Sequence, residues 1–118
     1  MKLDSSNMVS IHPYFKARPG RMPQIKPLLA AMVAKASAEK DTLFYDFTIN
    51  GDEIFCREAY LGAAGAAAHV KNVSPLIGEM VKLADVVRVE IHGPAAEVAD
   101  LKPLLADLKP ACFIREGA

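Results

Sequence analysis

The sequence predicts an α+β fold with the element order βαββαβ, on three observations. Two runs of alternating side chains, Leu43–Ile49 and Glu53–Leu61, flank Asn50-Gly51-Asp52. Asn-Gly between alternating runs marks a β-hairpin, because both residues tolerate positive φ. Before and after that hairpin lie segments whose apolar residues recur every three or four positions, the period of a helix. Outside these lie two further alternating runs, Met8–Lys16 and Ala84–His92.

Bulk properties bound the rest. The 118 residues fit a single domain over 1–118, with a core at 8–92 and a C-terminal extension at 93–118. A hydrophobic content of 52% leaves apolar surface for a subunit interface or a pocket. The net charge is zero and no basic run is present, so nothing invites a nucleic-acid backbone. No segment approaches the ~20 apolar residues of a membrane span, and MKLDSSNM lacks the apolar stretch of a signal peptide. Cys56 and Cys112 stand in no metal or redox spacing, and a reduced, cytoplasmic protein is expected.

In chain order, Met1–Asn7 is polar and expected to fray. In the first strand Val9, Ile11 and Phe15 share one face, and Ser10, His12 and Tyr14 the other. Pro13 has no amide proton and requires a bulge or an unpaired side there. Met22, Ile25, Leu28, Leu29, Met32, Val33 and Ala36 form the stripe of an amphipathic helix, whose regular part is expected from Lys26-Pro27. In the hairpin, Leu43, Tyr45, Phe47 and Ile49 face one way; on its second strand Ile54, Cys56, Glu58 and Tyr60 share a face. If the turn is of the two-residue type, Gly51 takes positive φ.

Ala63–Lys71, rich in alanine, suits a helix packed closely on the sheet, and Ser74-Pro75 reads as a fresh helix start. In the last core strand Val87, Val89 and Ile91 share one face, Arg88, Glu90 and His92 the other. Ala95–Leu108 is helical with a kink or break at Pro103, and Pro110–Glu116 is a short final strand. This is the ferredoxin-like order: a four-stranded antiparallel sheet in spatial order 4-1-3-2, with helices on one face. The other face has no helix to cover it, which predicts a homodimer closed through Tyr14, Phe44, Glu58 and Val86.

Four segments carry a family resemblance. The strand Tyr45-Asp46-Phe47, the turn Asn50-Gly51-Asp52, the strand Cys56-Arg57-Glu58-Ala59-Tyr60 and the segment Ala68-His69-Val70-Lys71-Asn72-Val73 resemble the antibiotic biosynthesis monooxygenase (ABM) family of dimeric α/β barrels. The resemblance covers about Met8 to His92, and the Ala95–Glu116 extension is similar to one in a subset of small bacterial members. It implies a homodimer with sheets packed face to face. It also implies a monooxygenase that needs no cofactor and takes a small aromatic or quinol-like substrate in an apolar pocket. Tryptophan, frequent in the pockets of members, is absent here.

The same resemblance places His69 and Asn72 in the pocket, where His69 would move a proton. The competing reading is a histidine at a helix end with Asn72 as cap. Asp46, Arg57, Glu58 and Tyr60 could line the same space, Arg57 and Tyr60 stabilising a substrate anion; equally, Arg57 could pair with Asp46 or Glu58 across the sheet. His12, Tyr14, Arg88, Glu90 and His92 form a polar stripe on the helix-free face, as substrate contacts or, preferably, an interface salt-bridge network. The histidine pair with a carboxylate is also a possible metal set. Two other functions compete with the oxygenase: a non-catalytic binder of small apolar molecules, and a haem-handling protein with His69 or His12 as axial ligand.

Overall fold

The computed structural model describes residues 4–117. Its elements are β1 (Met8–Ala17), α1 (Met22–Ala36), β2 (Thr42–Asn50), β3 (Glu53–Leu61), α2 (Gly62–Met80), β4 (Ala84–Gly93), α3 (Ala95–Leu101), a 3₁₀ segment (Lys102–Leu108) and β5 (Ala111–Ile114). The predicted core order holds, and the strands lie β2-β3-β1-β4-β5. The sheet differs from expectation in one respect. It has five strands and is mixed, because β5 adds to the edge parallel to β4, pairing Ile91 with Cys112 and His92 with Phe113.

The hairpin closes as predicted. Asn50 pairs with Glu53, leaving a two-residue loop in which Gly51 has φ +64° while Asp52 stays negative. That is the pattern of a turn with glycine at its first central position, which matches the twist of the flanking strands. Pro13 acts as anticipated too. It faces Val89 on β4, while pairing with β3 is interrupted over Ile11–Pro13.

All helices pack on the face presented by Val9, Ile11, Phe15, Ile54, Tyr60, Val89 and Ile91. The other face carries His12, Tyr14, Phe55 and Arg88, with Phe44, Val87 and Phe113 exposed. Two residues expected on this open face are therefore on the covered one. Glu58 is buried with the helices, and so is the inward side of Val86, which packs against both core clusters. The cause for Val86 is a bulge. Tyr14 pairs with Arg88 but Phe15 with Val86, so Val87 is extra and turns outward, 64% exposed, instead of joining Val89 and Ile91.

Two helix boundaries also move. Helix α1 is regular from Met22, with Pro23 in its first turn and Pro27 inside. Helix α2 does not restart at Ser74-Pro75 but runs through it to Met80, with Val73 and Met80 buried in the same core cluster on either side of Pro75. The C-terminal segment does break, into α3 and the 3₁₀ turn that contains Pro103. At the N-terminus, Met1–Leu3 lie outside the described residues. From Ser5 the chain is tied down: the Gly62 amide donates to the Asn7 carbonyl at 2.7 Å, and Arg115 donates to Ser5 Oγ at 3.4 Å.

Helix α2 starts close against the chain ahead of β2. An added Cβ on Gly65 would lie 3.0 Å from Asp41 Cβ and 3.2 Å from its carbonyl oxygen. Any larger residue would push Asp41 back by a few tenths of an ångström, so glycine suits this approach. The Glu97 carboxylate meanwhile accepts the Ala63 amide at 2.9 Å, satisfying one free N–H of the first turn. With its start pinned there, α2 lays Ala66, His69 and Val73 along the sheet.

Candidate acid–base site

A cavity of about 120 Å³ lies between the sheet and α2. Its wall is apolar, built by Ile11, Phe15, Val73, Ile77 and Val89 among others, and it reaches the surface beside Val81 and Leu108. The groups that bring polar atoms to it are Glu58, His69 and Tyr45.

Glu58 is there because of strand alternation. Ile54, Cys56, Glu58 and Tyr60 point to one side of β3, and that side is the core. Among the described residues the carboxylate has no cationic partner. Its contact is the Tyr60 hydroxyl, which donates to Oε1 at 2.5 Å. Burial raises its pKa to about 7, which the hydrogen bonds of Cys56 and Tyr60 offset only in part. The same burial pushes the hydroxyls of Tyr45 and Tyr60 and the Cys56 thiol well above their usual ranges, so all three stay neutral. The site thus holds a carboxyl that can gain or lose a proton near neutral pH, among donors that keep theirs.

His69 stands opposite on α2, 2% exposed and in mid-helix, which removes the helix-end reading. Its ring lies 4.4 Å from that of Tyr45 and 5.0 Å from that of Tyr60. Glu39, in the loop after α1, accepts from His69 Nδ1 at 2.8 Å, from Asn72 Nδ2 at 2.7 Å and from Thr42 Oγ1 at 2.6 Å. Burial lowers the His69 pKa, against the opposing pull of Glu39, so the ring is neutral at pH 7. Burial acts to raise the Glu39 pKa, but its three donors outweigh it and the net shift is downward, so Glu39 is ionised. A neutral ring beside an ionised carboxylate keeps its proton on Nδ1 and leaves Nε2 as an acceptor.

The structure sorts the anticipated residues into two sets. Glu58, Tyr60 and His69 come together on the covered face. Asn72 does not line the cavity but holds Glu39. Asp46 and Arg57 do not reach the cavity either. They pair with each other on the open face through two hydrogen bonds of 2.7 and 2.6 Å, both half-exposed. His12, Tyr14 and Arg88 lie on that face too, with Glu90 and His92, across the sheet from Glu58. Sequence reasoning missed Glu39, which sits 30 residues from His69 in a polar loop. The one hint was His69 and Asn72 on one helix face, two donors that need an acceptor.

No protein-family model matches the chain, and no curated protein sequence is detectably similar to it. Solved structures are. MupZ from Pseudomonas fluorescens is 35% identical with a TM-score of 0.88, and the match covers 95% of this chain and 93% of MupZ. That span necessarily includes most of the C-terminal extension. A candidate antibiotic biosynthesis monooxygenase from Nitrosomonas europaea matches at a TM-score of 0.69 and 14% identity, over 80% of this chain and 96% of its own. Another from Caulobacter crescentus CB15 matches at 0.66 and 15%, over 74% and 89%. The fold is the ferredoxin-like one that these candidate antibiotic biosynthesis monooxygenases share, as the hairpin residues implied. Within that class, the chain belongs to the family that contains MupZ.

The buried carboxyl has a consequence for stability. Because its folded pKa is raised from 4.5 to about 7, the folded state keeps a proton that the unfolded chain releases in that window. Stability from this group is therefore full below about pH 4.5 and lost as pH rises to 7, by about 3 kcal/mol at most at ~1.4 kcal/mol per pH unit. Glu58→Gln should remove the dependence. The variant's advantage over wild type in urea midpoint is expected to grow between pH 5 and 7.5; a constant difference would mean that Glu58 titrates normally.

Proposed function

We propose that the chain is a cofactor-independent monooxygenase acting on a small phenol or quinol held in the cavity beneath α2. The observation that carries this is Glu58, a carboxyl with a pKa of about 7 in an otherwise apolar wall. A general base works best when its pKa lies near the working pH. The cavity, about 120 Å³, is close to the ~150 Å³ void that holds benzene in an engineered protein. It suits one ring and is far too small for a porphyrin, so the haem reading gains no support.

In this scheme the ionised Glu58 accepts the phenolic proton. His69, held by Glu39, offers Nε2 to a second hydroxyl or to the proton released from the ring carbon. The electron-rich anion then reacts with dioxygen. One oxygen atom joins the ring carbon and the other leaves as water, with the substrate as the only reductant, so phenol plus O₂ balances as quinone plus water. Tyr45, which lines the cavity and is kept protonated by burial, can donate to the developing oxyanion.

Oxygen consumption with a series of reduced quinones and phenols tests this. Wild type should consume oxygen, with a rate that rises through pH 7, and Glu58→Gln should lose about 10²- to 10⁴-fold in kcat. Saturable binding of the same compounds without uptake would favour a non-catalytic binder.

We also assign the helix-free face as the contact of a homodimer. Phe44, Val87 and Phe113 are 48%, 64% and 43% exposed there beside Tyr14. A stable interface of this kind buries about 2,000 Å² or more in total. Sedimentation at micromolar concentration should give a dimer, and a monomer would contradict the assignment.

A further inference from the structure

His12, Glu90 and His92 form a cluster on the open face that the acid–base site does not use. Glu90 and His92 are two apart on β4 and so project to one side, and His12 on β1 pairs directly with Glu90. One ligand atom from each lies within 4.8 Å of the other two. We infer that these three residues bind one divalent transition-metal ion of the zinc class.

The donor set fits such an ion. Two imidazole nitrogens and one carboxylate oxygen are the three-ligand complement of an open zinc site, in which water takes the fourth position. Donors at about 2.1 Å from a tetrahedral ion stand about 3.4 Å apart. The cluster needs to close by little more than an ångström, a movement within reach of side-chain rotation. Glu90 Oε1 and His92 Nε2 are already 2.9 Å apart, and the two imidazole rings 4.3 Å.

The neighbours hold these groups in place. Arg88 binds Glu90 through Oε2 at 2.5 Å, while Oε1 lies against His92 Nε2 at 2.9 Å, on the side where the ion would sit. His92 stacks flat on Phe113 of β5, 4.5 Å away and tilted by only 10°. The His12 ring is fixed by the Ser10 hydroxyl at 2.7 Å and packs against Phe55. Supporting contacts of this sort orient the ligands of metal sites. C-terminal strand β5 thereby gains a role: its Phe113 buttresses one ligand.

Untagged, chelator-treated protein titrated with zinc sulfate in a calorimeter should bind one ion per chain with a Kd in the micromolar range or tighter. Cobalt(II) should give the visible absorption of a four- or five-coordinate site. In the unmutated protein, proton NMR should show the imidazole resonances of His12 and His92 shifting on zinc addition while those of His69 stay. His12→Ala, His92→Ala and Glu90→Gln should each weaken binding by about tenfold or more. Cys112→Ala, which alters the thiol on the strand beside β4, should leave binding unchanged. No saturable binding, binding retained by the His12→Ala/His92→Ala double variant, or zinc shifts confined to His69 would overturn the inference.

Discussion

A carboxyl that has no counter-ion among the described residues lies under helix α2, and the surrounding structure is arranged to bury it. Moving an unpaired carboxylate into an apolar wall is costly, and proteins commonly answer by leaving it protonated. Here the close start of α2 at Gly65 brings Ala66, His69 and Val73 down onto β3 and closes the space over Glu58. Tyr60 supplies one strong hydrogen bond and no positive charge. The proton affinity of Glu58 is therefore set by packing. A change that loosened α2 would admit water and return the group to ordinary behaviour.

The two histidine environments show how one sheet can separate two kinds of chemistry. On the covered face His69 is a neutral, buried ring aligned by an ionised carboxylate, suited to moving a proton in an apolar space. On the helix-free face His12 and His92 lie side by side with Glu90, half-buried in the single chain, suited to donating lone pairs to an ion. Strand alternation turns Glu58 to the covered face and His12, Glu90 and His92 to the other, while His69 reaches the covered face from α2.

Much of the fold was legible because it rests on local signals. Asn50-Gly51 marked the hairpin, Pro13 marked the interrupted pairing, and Pro103 marked the break in the C-terminal helix. The grouping of Glu58 with Tyr60 on one side of β3 was legible as well. Which side that was could not be read from the strand alone. The alternation of β4 was misread past the bulge at Val87, which shifts parity without any glycine or proline to announce it. Ser74-Pro75 looked like a helix start, but packing of Val73 and Met80 into one cluster carries α2 across it. Glu39 was invisible because its partners come from α2, far along the chain, and nothing in its own loop marks it.

The account stands on the ionisation of Glu58, and infrared difference spectroscopy reads that directly. A protonated carboxyl has a carbonyl band distinct from that of a carboxylate. In the wild type this band should bleach with a midpoint at about pH 7 and be missing from Glu58→Gln. A band lost near the ordinary carboxyl value of 4.5 would contradict the account, for the group would then be an ordinary carboxylate at neutral pH.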